Sequence, residues 1–454
     1  MSRLVIIGNG VAGATCAKRV RELDQEKEIL LISNESPYFF SRPSLMYIYM
    51  GHMKEEHTRP YEDHKWDEWK IKRLQRSITA IDYGSKNCKT DTGEMISYDE
   101  LVIATGSKPN KFGWPGQDLK AVQGLYSLQD LASMEKWSAT TKTAVIVGGG
   151  LIGIEMAEMF LTRGIRVKFL VREKEFWNTI LPLEESRMVS KHMKEHHVEL
   201  MLGTELNSIH SDENGRVKSI TTGSGEKMDC QFVGLTAGVS PNIDFLRESE
   251  LKCDRGVLVD RQFKTNLESV YAVGDCAQFI QPFEGRKPIE QVWYTGKNQA
   301  MTLAESISGN NVCEYIPGHW FNSAKFFDIE YQTYGTVLGK CPENEATLFW
   351  QDNSSYRSFR MNYLKESKRV TGFNLMGIRG RHLICEHWLA EKSTVEEVLT
   401  NLGALNFDPE FYRTFEVEVV NQYNVVNPES KVKLKTKKGL FSKFFKKVEG
   451  SIPC

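Results

Sequence analysis

Four consecutive apolar residues, Leu4-Val5-Ile6-Ile7, stand near the start of the chain, and glycines follow at once in Gly8-Asn9-Gly10-Val11-Ala12-Gly13. An uninterrupted apolar run of this length predicts a parallel strand buried on both faces. Ala14, Ala17 and Val20 then recur at helical spacing, so a helix is predicted after the turn. A second apolar run, Ile29-Leu30-Leu31-Ile32, predicts the next strand and is followed closely by Glu35. The segment Pro37-Tyr38-Phe39-Phe40-Ser41-Arg42-Pro43-Ser44-Leu45 is rich in aromatics and too irregular for a strand. A charged, Trp-containing region from Glu55 to Lys70 comes next, and Ile71 to Asp82 and Met95 to Leu101 read as antiparallel strands. Leu101-Val102-Ile103-Ala104 returns to a buried strand that ends in the small residues Thr105-Gly106-Ser107.

The opening pattern is then repeated. Ala144-Val145-Ile146-Val147-Gly148-Gly149-Gly150-Leu151-Ile152-Gly153-Ile154-Glu155 is again apolar strand, glycine turn and helix, with the strand Val167 to Val171 and then Arg172 beyond it. This unit also ends in a small-residue turn, Leu235 to Asn242, and a short strand Val270 to Val273 delivers Gly274-Asp275 at its carboxyl end. From about residue 316 the chain predicts strands at Phe321–Val337, Ala346–Gln351, Tyr356–Tyr363 and Val370–Gly377, and a helix near Thr394–Leu402. Trp320, Phe321, Phe326 and Phe327 read as core of that region.

Both glycine turns have the spacing G-x-G-x-x-G between strand and helix. In that setting the first glycine permits the sharp turn, the second lets the backbone approach a pyrophosphate, and the third lets helix pack closely on strand. The free N–H groups of the helix N-terminus then face the phosphates. Two such units in one chain predict two dinucleotide sites. Asp275 sits where open α/β sheets bind ligands, outside the carboxyl end of a strand.

At 454 residues the chain is expected to form two or three domains. Hydrophobic residues at 41% and charged residues at 26% are those of a soluble globular protein, and no run approaches the roughly 20 apolar residues of a membrane span. With no signal-peptide pattern either, the reading is cytoplasmic. The nine cysteines (16, 88, 230, 253, 276, 313, 341, 385 and 454) form no C-x-x-C pair and are expected to be reduced and mostly buried, without a structural zinc or iron–sulfur site. His192, His196 and His197, beside Lys191 and Lys194, read as a solvated helix face, and no metal site and no nucleic-acid partner are expected. Residues 431 to 447 hold eight lysines (431, 433, 435, 437, 438, 443, 446 and 447) and no acid. Leu440, Phe441, Phe444, Phe445 and Val448 are spaced to share one helix face there. A basic amphipathic tail of this kind suits weak, reversible contact with an anionic membrane surface, such as the inner membrane face, or an acidic partner.

The order G-x-G-x-x-G, A-T-G, G-x-G-x-x-G, G-D resembles the class I pyridine nucleotide–disulfide oxidoreductases, the two-dinucleotide flavoproteins, over residues 1 to about 310. The resemblance implies an α/β fold with two Rossmann-like dinucleotide-binding domains and a small α+β C-terminal domain. Residues 1–110 and 245–315 would bind FAD, 111–244 would bind NAD(P), 316–430 would form the C-terminal domain, which in some members is a dimer interface, and 431–454 the tail. It further implies that Gly8, Gly10, Gly13 and Glu35 hold the ADP half of FAD, that Thr105 and Gly106 close over it, and that Gly274 and Asp275 meet the ribityl chain or pyrophosphate. Gly148, Gly150, Gly153 and Glu155 would hold the nicotinamide cofactor, with Glu155 near the nicotinamide. Arg172 stands where an arginine accepts a 2′-phosphate, which favours NADPH, although Glu173 keeps NADH open.

One departure carries as much as the match. Disulfide reductases have a redox cysteine after the first acid, whereas Tyr38 to Leu45 contains none. This run looks instead like the rubredoxin and ferredoxin reductases, the N-terminal part of assimilatory nitrite reductase, and the apoptosis-inducing-factor group, with Arg42 near the cofactor phosphates. The expected function is an FAD-dependent NAD(P)H oxidoreductase that passes electrons directly to a rubredoxin- or ferredoxin-type carrier. Two alternatives are an NAD(P)H:quinone or diaphorase-type reductase at the membrane surface, and a flavin-binding interaction module.

Overall fold

The computed structural model describes residues 2–309, 313–352, 354–408, 410–411 and 413–435. The basic amphipathic segment expected beyond Lys435 lies outside the described residues. The described residues form two compact units, one within 2–172 and 197–317 and the other within 173–196 and 318–435.

The first unit contains two parallel five-stranded sheets. In the first, the order across the sheet is Val270–Ala272, Glu100–Ile103, Arg3–Ile7, Glu28–Ser33, Ile71–Gln75. The strand Arg3–Ile7 is central because Leu4, Val5 and Ile6 are fully buried, which a strand covered on both faces requires. The chain leaves this strand toward one side and returns on the other, so a crevice opens beyond its carboxyl end. Helices Val11–Leu23 and Trp293–Ser308 pack together, with the small residues Ala14, Ala17, Ala300 and Ala304 completely buried.

The second sheet repeats the plan in the order Glu199–Leu202, Arg166–Val171, Thr143–Val147, Phe232–Leu235, Val122–Gln123. Smaller sheets complete the unit: antiparallel Ile78–Asp82 with Asn87–Thr90 and Met95–Ser97, Leu206–Ser211 with Val217–Thr222 and Lys227–Asp229, and Ser107–Pro109 with Val239–Pro241, and a parallel pair, Val257–Val259 with Ala277–Phe279. The expectation of antiparallel strands over 71–82 and 95–101 is corrected in part. Ile71–Gln75 and Glu100–Ile103 are parallel strands of the first sheet, and only Ile78–Asp82 and Met95–Ser97 pair antiparallel. The breaks fall at Arg76-Ser77 and Tyr98-Asp99, where polar residues separate strands that join different sheets.

The second unit is built on an antiparallel sheet in the order Phe321–Phe326, Ile329–Gly335, Val370–Met376, Ser358–Leu364, Glu345–Gln351. Phe326 and Phe327 are buried as expected of core aromatics. Helix Val395–Thr400 is capped by the Thr394 hydroxyl, which accepts from the Glu397 N–H, and two helices without a sequence expectation, His382–Ala390 and Glu416–Val426, accompany it. The helix Leu183–Glu195 belongs to this unit and is anchored by Arg360, whose Nε donates to Glu185 Oε1 at 2.6 Å and Nη2 to Glu184 Oε2 at 2.7 Å. Burial raises the pKa of Glu185 while Arg360 opposes the rise.

The same helix corrects the reading of a solvated histidine face in part: Lys191, Lys194 and His197 are exposed and His196 is half-buried, but His192 is not solvated. His192 is only 4% exposed, its Nε2 pairs with Asp328, and the His196 ring stacks on Phe327 at 4.5 Å. The polar neighbours Lys191 and Lys194 mark the outer face of the helix, while the sheet that covers the inner face lies far along the chain. All eight cysteines among the described residues are free thiols. Among the described residues no helix is long and apolar enough to cross a membrane.

Candidate functional site

A cavity of about 900 Å³ opens in the first unit at the carboxyl ends of the strands, within the ~300–1,000 Å³ typical of cofactor sites. Its floor is the turn Gly8–Ala12. Gly8 has φ +113, and a Cβ there would stand 2.1 Å from the Ala104 carbonyl oxygen, so the residue is glycine by necessity. At Gly13 a Cβ would meet the Gly8 carbonyl oxygen at 1.8 Å, which makes this the helix–strand packing position. Gly10 differs: no atom lies within 4 Å of where its Cβ would be. The space above Gly10 is therefore open to a ligand.

The second turn shows the same division of roles. Gly148 has φ +125 and its Cβ would clash with Thr236, Gly153 is closed by Phe169 and the Gly148 carbonyl, and Gly150 is open. Gly10 and Gly150 are the N-cap residues of Val11–Leu23 and Leu151–Thr162, and neither helix receives a side-chain cap. The first amides of both helices are thus left for an anion, with the favourable end of the helix dipole behind them. Leu151, Ile152 and Glu155 line the same cavity as Gly8 and Gly10, so elements of both strand–turn–helix units wall one space.

Polar groups converge on that space. Glu35, just beyond Glu28–Ser33, accepts from Arg42 twice, at 3.0 and 2.7 Å, and from the Leu128 N–H at 2.9 Å. Arg42 also donates to the Tyr126 carbonyl and lies 4.3 Å from the centre of the Tyr126 ring. Burial lowers the pKa of Arg42, but Glu35 outweighs it and the net shift is upward, so the cation persists. Asn9 donates to the Ser36 and Tyr38 carbonyls at 2.8 and 3.0 Å and thereby ties the irregular aromatic segment to the first glycine turn.

On the far wall, Asp275 follows Val270–Ala272 and accepts from Ser107 Oγ at 3.0 Å and from the Tyr126 hydroxyl at 3.4 Å. Burial raises the pKa of Asp275, with Ser107, Arg42 and Tyr126 acting against it. Burial pushes the Tyr126 hydroxyl up to about 12, with Asp275 adding to the rise, so it remains a donor. Thr105, Gly106 and Gly274 line the wall beside it, as do Gln291, which donates to Ser107 Oγ at 2.7 Å, and Trp293, whose ring stacks on Phe39 at 5.9 Å.

The structure thus brings Gly8, Gly10, Glu35, Arg42, Thr105, Gly106, Gly274, Asp275 and Glu155 to one cavity. Gly13, Gly148, Gly150 and Gly153 are not among its lining residues: Gly13 packs behind the first turn and the other three shape the second, while Arg172 stands exposed at the end of Arg166–Val171, away from the cavity walls. Tyr126, Gln291 and Trp293 were not anticipated, because each sits outside any motif; the only local signal is the capping box Ser127–Asp130 immediately after Tyr126.

The chain resembles known proteins over most of its length. Residues 2–300 match the pyridine nucleotide-disulphide oxidoreductase family. The chain belongs to that family. It is 27% identical over 330 residues to rubredoxin-NAD(+) reductase of Pseudomonas putida, covering 72% of this chain and 85% of that protein. With the ferredoxin reductase component of chlorobenzene dioxygenase from Cupriavidus sp. (strain PS12) it shares 31% identity over 356 residues, 77% of this chain and 86% of that one. Among solved structures, the covalent putidaredoxin reductase–putidaredoxin complex superposes with a TM-score of 0.75 at 19% identity, over 86% of this chain and 93% of that chain, a likeness of fold. As a member of this family the chain is an FAD-dependent NAD(P)H oxidoreductase. The open cradles above Gly10 and Gly150, each facing uncapped helix amides, fit the phosphates of two dinucleotides.

Proposed function

We propose that this oxidoreductase takes electrons from NAD(P)H and delivers them, without an intervening cysteine, to a small rubredoxin- or ferredoxin-type carrier. The observation that carries the proposal is the single cavity walled by elements of both strand–turn–helix units and lined by no cysteine. Cys276, the thiol next to Asp275 in sequence, is buried and pushed up to about 11, so it offers no thiolate for disulfide chemistry. Bound FAD would supply the redox chemistry that links the two-electron donor NAD(P)H to two molecules of a one-electron carrier.

The residues of this chain supply placement. Gly10 and the amides after it hold the FAD pyrophosphate, and Glu35 accepts from the adenosine ribose while Arg42 keeps its carboxylate fixed. Ser107, Tyr126 and Asp275 form the polar wall along the remainder of the dinucleotide, and Gly274 leaves room for it. Gly148, Gly150, Gly153 and Glu155 receive the nicotinamide cofactor, and Arg172 favours the 2′-phosphate of NADPH. The names of the relatives, rubredoxin-NAD(+) reductase and a ferredoxin reductase component, support the class of acceptor.

Glu35→Gln is expected to weaken FAD retention about tenfold, the worth of one charge-assisted hydrogen bond of ~1.5 kcal/mol. Fluorescence of the flavin released on dilution reports it, and unchanged retention would remove Glu35 from the site. The functional reading itself is tested by anaerobic stopped-flow absorbance. The yellow protein is mixed with NADPH or NADH, and the reduced form is then mixed with rubredoxin, a [2Fe–2S] ferredoxin or a soluble quinone. Bleaching at about 10 s⁻¹ or faster with at least one nucleotide, and reoxidation fastest with a protein carrier, are expected. Bleaching over minutes with both nucleotides, or reoxidation fastest with quinone, overturns the proposal.

A further inference from the structure

We propose that His192, His196 and Asp328 form a binding site for a divalent late transition-metal ion, with Zn²⁺ as the favoured occupant. The two histidines are four residues apart on the helix Leu183–Glu195 and its C-terminal cap, so their side chains share one face about one turn apart. Asp328 comes from the tight connection between Phe321–Phe326 and Ile329–Gly335. One ligand atom from each of the three residues lies within 4.8 Å of the others. His192 Nε2 and His196 Nε2 both approach the same oxygen, Asp328 Oδ1, the second at 3.3 Å. A metal bound at ~2.0–2.2 Å to imidazole nitrogen and carboxylate oxygen requires donors at about these separations.

The site is built and held. The His196 ring stacks on Phe327 with the planes only 6° apart, and His192 is wedged between Phe327 and Tyr356, with ring centres at 6.0 and 4.3 Å. The connection that presents Asp328 is a two-residue turn, since Phe326 pairs with Ile329, and Phe327 takes φ +57 within it. A bulky residue rarely adopts that conformation. Here it sets the Phe327 ring against both histidines and the Asp328 carboxylate in front of their nitrogens.

The Asp328 side chain is 76% exposed and that of His196 42%, so an ion has a path from solvent and room for water as a fourth ligand. Glu195, the nearest further acid on the helix, is engaged by the Tyr356 hydroxyl and is not part of the set. Two imidazoles and one carboxylate select Zn²⁺, Co²⁺, Ni²⁺ or Cu²⁺ over Mg²⁺ and Ca²⁺, which prefer all-oxygen shells. A bound ion would join the helix to the hairpin within the second unit. That unit carries none of the residues assigned to the dinucleotides, so the role is structural.

The test uses the full-length flavoprotein, freed of any histidine tag and dialysed against chelator. Zn²⁺ binding is measured by isothermal titration at neutral pH, with Mg²⁺ as control. One Zn²⁺ per chain with a Kd below ~100 µM is expected, with no measurable Mg²⁺ binding. His196→Ala and Asp328→Asn are each expected to weaken Zn²⁺ at least tenfold and to abolish the rise in melting temperature that Zn²⁺ produces in the parent. Both positions are exposed enough for the variants to fold, which circular dichroism verifies, whereas His192→Ala would open a buried gap. Zn²⁺ binding weaker than ~100 µM, equal binding of Mg²⁺, or affinities unchanged in both variants overturns the proposal.

Discussion

Gly10→Leu is expected to yield a folded protein that no longer retains flavin. The backbone at Gly10 is extended and of negative φ, and no atom stands within 4 Å of a Cβ built there, so the side chain enters without strain or clash. It enters the open space in the cavity beside the amides of Val11–Leu23, where the proposed pyrophosphate would lie. Losing those hydrogen bonds and the close approach to the helix end should weaken FAD at least about 1,000-fold, or ~4 kcal/mol. Purification would give a colourless protein by the ratio of absorbance at 450 and 280 nm. Its melting temperature should match that of flavin-free parent protein, because the parent's additional stability comes from bound ligand. A yellow Gly10→Leu protein would refute the placement of the pyrophosphate. Gly13→Ala is no substitute for this experiment, since a Cβ 1.8 Å from a carbonyl oxygen disturbs the fold itself.

The companion substitution separates the two sites. Gly150→Leu occupies the equivalent open position of the second turn, again with no atom within 4 Å. Its flavin content should be normal, while the rate of bleaching at low NAD(P)H should fall at least about 100-fold, corresponding to ~2.7 kcal/mol of lost nucleotide binding. Stopped-flow absorbance across a range of nucleotide concentrations measures it. Unaltered bleaching by both nucleotides would mean that the second turn does not hold the electron donor. Loss of flavin in Gly150→Leu, with bleaching never reached, would reverse the assignment of the two turns.

These two substitutions also show how much a short stretch of chain discloses. The roles of Gly8, Gly10 and Gly13 are local: a strand, a turn and a helix that adjoin in sequence define which glycine is closed and which is open. The same holds for Gly148, Gly150 and Gly153. Asp275 was legible because the strand that presents it is apolar and ends on it. Glu35 and Arg42 were legible as separate candidates, but not as the ion pair they form.

Other features were out of reach of the linear pattern. Ile71–Gln75 looks like any short half-buried strand, and only the free edge of Glu28–Ser33 makes it parallel. Tyr126 becomes part of the site because Ser107 and Asp275 come from distant strands and meet its hydroxyl. His192 reads as polar among lysines, yet the hairpin carrying Asp328 arrives more than a hundred residues later and buries it.

The division has a physical basis. Backbone geometry and apolar periodicity act over a few residues, so the two strand–turn–helix units, their glycine roles and the family were readable from order alone. Pairing partners, side-chain burial and the convergence of polar groups depend on contacts between segments far apart in the chain. The meeting of elements of both strand–turn–helix units at one cavity, the clamp of Arg42 on Glu35 and the histidine–aspartate cluster therefore emerged only with the fold.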